Sequence, residues 1–100
     1  MSTSITKKMC IPQIESTISI DFIKKTLMNN NIGKVFNMYE IPNKENQKYK
    51  RIIFYVKLIE NTSATAIINE RFSNKKNIKV FYENPLYWKI YEYTMNPIRV

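Results

Sequence analysis

Arg51-Ile52-Ile53-Phe54-Tyr55-Val56-Lys57-Leu58 is the stretch on which the fold turns. Its even positions are all apolar, whereas its odd positions carry a base, an apolar residue, an aromatic ring and a second base. A period of two is that of a β-strand with one side buried, so Arg51, Ile53, Tyr55 and Lys57 share the opposite side. A sheet face with a ring for stacking and cations for phosphates has the minimum needed to hold single-stranded nucleic acid. The same pattern also describes an amphipathic strand with an ordinary solvated side.

Outward from this strand, expected over about Tyr49 to Ile59, the chain reads as a series of short elements. Before it, Val35 to Ile41 is a strand closed by the polar turn Pro42-Asn43-Lys44-Glu45-Asn46, which makes an antiparallel hairpin. Ahead of that, Ser19 is placed to cap a helix, with Asp21 at its positive end and Ile18 in position to pack on Ile23. Ile20, Ile23 and Leu27 line one side of this helix, and Asn29-Asn30-Asn31 with Gly33 supply its stop. The first strand is short, Met9-Cys10-Ile11, ending where Pro12 removes a backbone donor.

After the central strand, Asn61 or Thr62 caps a second helix to about Phe72, with Ala64, Ile67, Ile68 and Phe72 as its core stripe. Lys75-Lys76-Asn77 leads out of it into a strand from Ile78 to Tyr82, ended by Glu83-Asn84-Pro85. Leu86 to Tyr93 is a further extended and aromatic segment. The order strand, helix, strand, strand, helix, strand predicts an α+β, ferredoxin-like sandwich: a four-stranded antiparallel sheet with both helices on one face.

Composition sets the outer bounds. One hundred residues with 44% hydrophobic and 24% charged suit one domain. No apolar run reaches the roughly 18 residues of a membrane span, and neither a secretory signal nor a membrane partner is expected. Cys10 is the single cysteine, so no internal disulfide forms and an intracellular, reducing location follows. The sequon-like Asn61-Thr62-Ser63 is then expected to stay unglycosylated. Sixteen basic against eight acidic residues leave a net charge of +8, which favours an anionic partner. Heavy use of Ile, Asn and Lys also fits an AT-rich genome, so the position of the charge matters more than its sum. Lys48, Lys50 and Arg51 form one basic cluster, and Lys75, Lys76 and Lys79 another.

The element order and the inner strands resemble an RNA-recognition-motif (RRM) domain over about residues 8 to 82. Arg51, Tyr55 and Val56 match the first, fifth and sixth positions of that family's longer motif, while Ile52, Ile53, Phe54 and Leu58 depart from it. The shorter motif aligns with Met9-Cys10-Ile11-Pro12-Gln13-Ile14, with Cys10 in the place of a stacking ring. A narrower resemblance, carried by Ile11-Pro12-Gln13-Ile14 and by Glu83-Asn84-Pro85-Leu86-Tyr87-Trp88-Lys89, is to small RRM-like proteins of large DNA viruses. It implies a viral origin, with a host cytoplasm or viral factory as the location and the nucleus not excluded, and carries no activity with it.

These readings divide the chain into a loose N-terminus (1–7), an RRM-like domain (8–82) and an aromatic extension (83–100) packed on or beside the sheet. Phe81, Tyr82, Tyr87, Trp88, Tyr91 and Tyr93 crowd into one stretch, which either completes the core and blocks the open face, as an added strand or a tail folded across the sheet, or offers a platform for bases or a protein. The expected contact residues are Tyr55 for stacking, Arg51, Lys57, Lys79 and Lys50 for phosphates, Phe81 as a second ring and Ile53 between them. With no His, no cysteine pair and one Gly in the chain, neither catalysis nor a metal or other cofactor is expected. The competing class is a protein-protein module, a homo-oligomer or a subunit of a viral or host complex, that uses the fold without binding RNA.

Overall fold

The computed structural model describes residues 4–30 and 32–93. Seven elements follow one another: β1 (Ser4–Glu15), α1 (Ile20–Asn29), β2 (Lys34–Pro42), β3 (Tyr49–Ile59), α2 (Ser63–Ser73), β4 (Ile78–Glu83) and β5 (Leu86–Glu92). The strands form one antiparallel sheet in the order β2-β3-β1-β5-β4. The architecture is therefore α+β, with five strands where four were expected.

The alternation in β3 is what positions everything else. Ile52, Phe54, Val56 and Leu58 are at most 2% exposed and join Ile23 and Leu27 of α1 and Ile68 and Phe72 of α2 in one apolar cluster. Both helices thus draw on the same side of β3, and its odd-numbered side chains are left on the other. Met9 and Ile11 of β1 and Trp88 and Ile90 of β5 bury into the same cluster.

Local capping follows the sequence closely. Ser19 accepts from the Phe22 amide at 3.1 Å and opens α1, and Thr62 accepts from Thr65 and opens α2. Each satisfies an amide that the first helical turn leaves without an intrahelical partner. The buried stripe of α2 is Thr65, Ile68 and Phe72, whereas Ile67 is 56% exposed. Thr65, rather than Ala64 or Ile67, turns inward because its hydroxyl donates to the Ile59 carbonyl at 2.7 Å. Gly33, the only glycine, has φ +129°, and a Cβ there would lie 2.6 Å from the Lys57 carbonyl oxygen. The chain can enter β2 this close to β3 only through a residue without a side chain. Of the run expected to stop α1, Asn30 is the C-cap and Asn31 lies outside the described residues.

Two expectations about the ends of the domain are corrected. The first strand does not stop at Pro12 but runs for twelve residues, absorbing the proline at an irregularity between Ile11 and Ile14. Residues 4–7, expected to be loose, pair with β3 from Ser4↔Ile59 onward. The stretch expected as an extension is a fifth strand inside the sheet, because Trp88 and Ile90 alternate with Tyr87, Lys89 and Tyr91 at the strand period. It pairs with β4 on one side and β1 on the other. As β5 runs antiparallel to both, β4 runs in the direction of β1 and opposite to β3. β1 and β2 flank β3, and β5 lies on the other side of β1 with β4 at the edge beyond it. No described helix is long and apolar enough to cross a membrane.

Candidate nucleic-acid interface

Cross-strand register assembles the helix-free face in rows. One row runs Phe36, Tyr55, Lys8 and Tyr93: Phe36 pairs with Tyr55, Tyr55 with Lys8, and the Tyr93 amide donates to the Lys8 carbonyl at 2.8 Å. The side chains follow the backbone. Phe36 stacks on Tyr55 with centroids 5.7 Å apart, and Lys8 Nζ lies 5.4 Å from the Tyr55 ring and 4.7 Å from that of Tyr93. Tyr55 is accordingly half-buried and held between Phe36 and Lys8.

The next row is Tyr39, Ile53, Cys10 and Tyr91. Ile53 and Cys10 are each 7% exposed, whereas Tyr39 and Tyr91 stand out at 53% and 38%. Ile53 therefore forms floor between two rings. Burial raises the pKa of the Cys10 thiol, opposed by the positive charge of Arg51, so this row presents a neutral thiol.

Cations border the rings. Arg51 is exposed opposite Ile41, and Lys57 lies 5.9 Å over the Phe36 ring. Lys79 lies 4.9 Å over Tyr87, and Tyr87 in turn contacts Phe81 at 5.3 Å. Lysines also stand directly opposite each other twice, Lys34↔Lys57 on β2 and β3 and Lys79↔Lys89 on β4 and β5. Like charges so placed cost stability unless an anion lies between them. Two ion pairs of the chain, Lys7–Glu92 and Lys50–Glu40, involve the alternate positions of their strands, on the helix side. Neither pair neutralises a cation of the open face.

Of the seven residues singled out from sequence, Arg51, Tyr55, Lys57, Ile53, Lys79 and Phe81 share this face. Lys50 does not. It is 6% exposed on the helix side, with Nζ donating to the Ile18 carbonyl at 2.6 Å and to Glu40 Oε1 at 2.5 Å. Its even number in β3 carries the signal, which its basic neighbours in sequence obscure.

Further residues of the face escape a reading of sequence blocks. Lys8 precedes the short first strand expected over Met9-Cys10-Ile11, and Tyr87, Lys89 and Tyr91 sit in what was expected to be an extension. Phe36 and Tyr39, an odd number of residues apart, reach one face only because a register shift between them, with Asn37 at φ 50°, resets the alternation. Residues 86–92 lie within the sheet instead of across it; the rest of the expected cover, residues 94–100, lies outside the described residues. Against known proteins, no family model, no curated protein and no solved structure matches this chain.

Proposed function

We propose that the chain is a non-enzymatic, intracellular binding protein of RRM-like character that holds single-stranded nucleic acid, RNA in the first instance, across the helix-free face of its sheet. The order β2-β3-β1-β5, with β5 in the fourth place and β4 outside it, supports that reading. No cofactor is required: rings supply stacking and lysines supply phosphate contacts.

One observation carries the reading. Two directly opposed lysine pairs flank the row of rings, and a face arranged in this way is relieved by a polyanion. From register and strand spacing the two pairs are roughly 24 Å apart along a diagonal that crosses Tyr55, Cys10 and Tyr91. That is the length of several nucleotides.

Titration of fluorescein-labelled uridine and adenosine 12-mers by anisotropy tests it, at about 50 and about 200 mM salt. The expected result is about micromolar affinity at the lower salt, falling steeply at the higher, and weakened by Tyr55→Ala. Absence of binding at the lower salt, or full binding by a Tyr55→Ala, Arg51→Ala double variant, overturns it.

A second reading, self-association, is favoured by the edge strand β2, where Tyr39 and Ile41 are 53% and 42% exposed. An unpaired edge with apolar side chains is a template for another chain. Light scattering separates the two: a salt-insensitive dimer without bound nucleic acid favours self-association, and a monomer eluting with bound nucleic acid favours the first.

A further inference from the structure

β1 and β5 are neighbours, yet their register lasts only for Met9↔Glu92 and Cys10↔Tyr91, extended by the Tyr93 amide bond to Lys8. Continued by two residues, the same register would set Pro12 opposite Lys89. Proline has no N–H to give, and β1 departs from regular pairing between Ile11 and Ile14. The ladder stops there and the strands part.

The opening is a pocket of ≈ 420 Å³ lined by Pro12, Gln13, Tyr87, Trp88, Lys89 and Tyr91, within the size range of small-ligand sites. Hydrogen-bonding groups of a strand point alternately to its two sides. As Tyr91 and Tyr93 direct theirs to β1, so do Tyr87 and Lys89, and these now face the pocket instead of a partner strand. Gln13 adds a side-chain amide with both donor and acceptor, the tyrosines add ring faces, and the Lys79–Lys89 pair adds positive charge at the rim.

Resting on the nucleic-acid reading above, we infer that this gap receives one extruded nucleobase of the bound strand and gives the protein a base preference. The base lies against the rings of Tyr87 and Tyr91. Its edge bonds the Lys89 main chain and the Gln13 amide, and its phosphate lies beside Lys79 and Lys89. A main-chain N–H beside a C=O matches the donor and acceptor edge of a base, a mode of reading that single-stranded bases permit and duplexes do not. The pocket is thus a specificity subsite, while the rows through Tyr55 hold any sequence.

The test compares 12-mers of uridine, cytidine, adenosine and guanosine on the full chain at about 50 mM salt. The wild type is expected to favour one base by about tenfold, the size of one well-made bidentate edge contact. Fluorescence of Trp88, the only tryptophan, should change most with that oligomer. Gln13→Ala removes the side-chain amide, and Pro12→Ala returns an N–H that lets β1 pair with Lys89 and narrow the gap. Flattening of the preference to within about threefold by either variant, with mean affinity retained, supports the subsite. Equal binding of all four bases by the wild type, or a preference that survives both changes, overturns it and leaves the open-face reading intact. A wild type that binds none of the four overturns both.

Discussion

Lys79 and Lys89 stand directly opposite each other across β4 and β5, and Lys79 also covers the Tyr87 ring at 4.9 Å. Folding has brought two like charges together on a face reserved, on our reading, for an anion. Stability and binding should therefore respond in opposite directions when one charge is removed. Lys79→Gln is expected to stabilise the free protein by about 0.2–1 kcal/mol and to weaken oligonucleotide binding. The slope of log affinity against log salt should become shallower by about 0.7 for the lost phosphate contact. Thermal melts and anisotropy at several salt concentrations check both, and a variant unchanged in slope removes Lys79 from the interface.

Lys50 and Arg51 are adjacent in sequence and on opposite sides of β3. Lys50→Ala strips the donor from the Ile18 carbonyl and the partner from Glu40. It is expected to cost about 1–3 kcal/mol while leaving the affinity of the folded fraction unchanged. Arg51, exposed on the open face, should behave in the reverse way, with stability within about 0.5 kcal/mol of wild type and weaker binding. Denaturant melts beside titrations of both variants make the comparison, and weaker binding by folded Lys50→Ala is the result that would contradict it.

That contrast also marks what was legible in the sequence. The alternation of β3, the two N-caps and the order of the first six elements are local, and each follows from residues within one turn or one strand. Strand neighbours depend on long-range pairing that no local pattern states. The alternation of Trp88 and Ile90 with Tyr87, Lys89 and Tyr91 is strand-like, but nothing in it says that β5 inserts between β1 and β4. Pro12, which lacks a donor, does end pairing, but with β5 rather than β3. At Asn37 one extra residue shifts the alternation, so the ring pair Phe36 and Tyr39 is invisible to a period of two. The open face was thus recognised from its central strand, with its flanking rings and its gap supplied only by the fold.

Lys75 has φ 58° and closes α2: its amide reaches the Phe72 carbonyl at 2.9 Å, and that of Lys76 the Arg71 carbonyl at 2.8 Å. This pair of bonds is the left-handed C-terminal cap normally made by glycine. A residue with a Cβ costs about 1 kcal/mol there, so Lys75→Gly is expected to stabilise by roughly 0.5–1 kcal/mol. The opposite is expected of Gly33→Ala. At φ +129° with the Lys57 carbonyl 2.6 Å from the new Cβ, it should destabilise by about 2 kcal/mol or more. Urea midpoints for the two variants provide the measurement, and shifts of the same sign would contradict this account of the two backbones.

Cys10 offers a chemical probe of the face, since it lies opposite Ile53 and Tyr91 with its thiol pKa raised by burial and lowered in part by Arg51. The nucleophile is the thiolate, so alkylation of native protein at pH 8 should be much slower than in urea. Arg51→Ala withdraws the opposing positive charge and should slow it further. The raised pKa also links to stability. Folding is favoured by the neutral thiol, so this contribution is intact below the ordinary value of 9.0 and is lost as pH rises through the higher folded value. The difference in stability between wild type and Cys10→Ala should therefore shrink with rising alkalinity, measured by urea melts at successive pH values. A difference that grows above that pH would show that the thiolate is the form the fold prefers, and would place Cys10 in a far more polar setting than the floor between two rings described above.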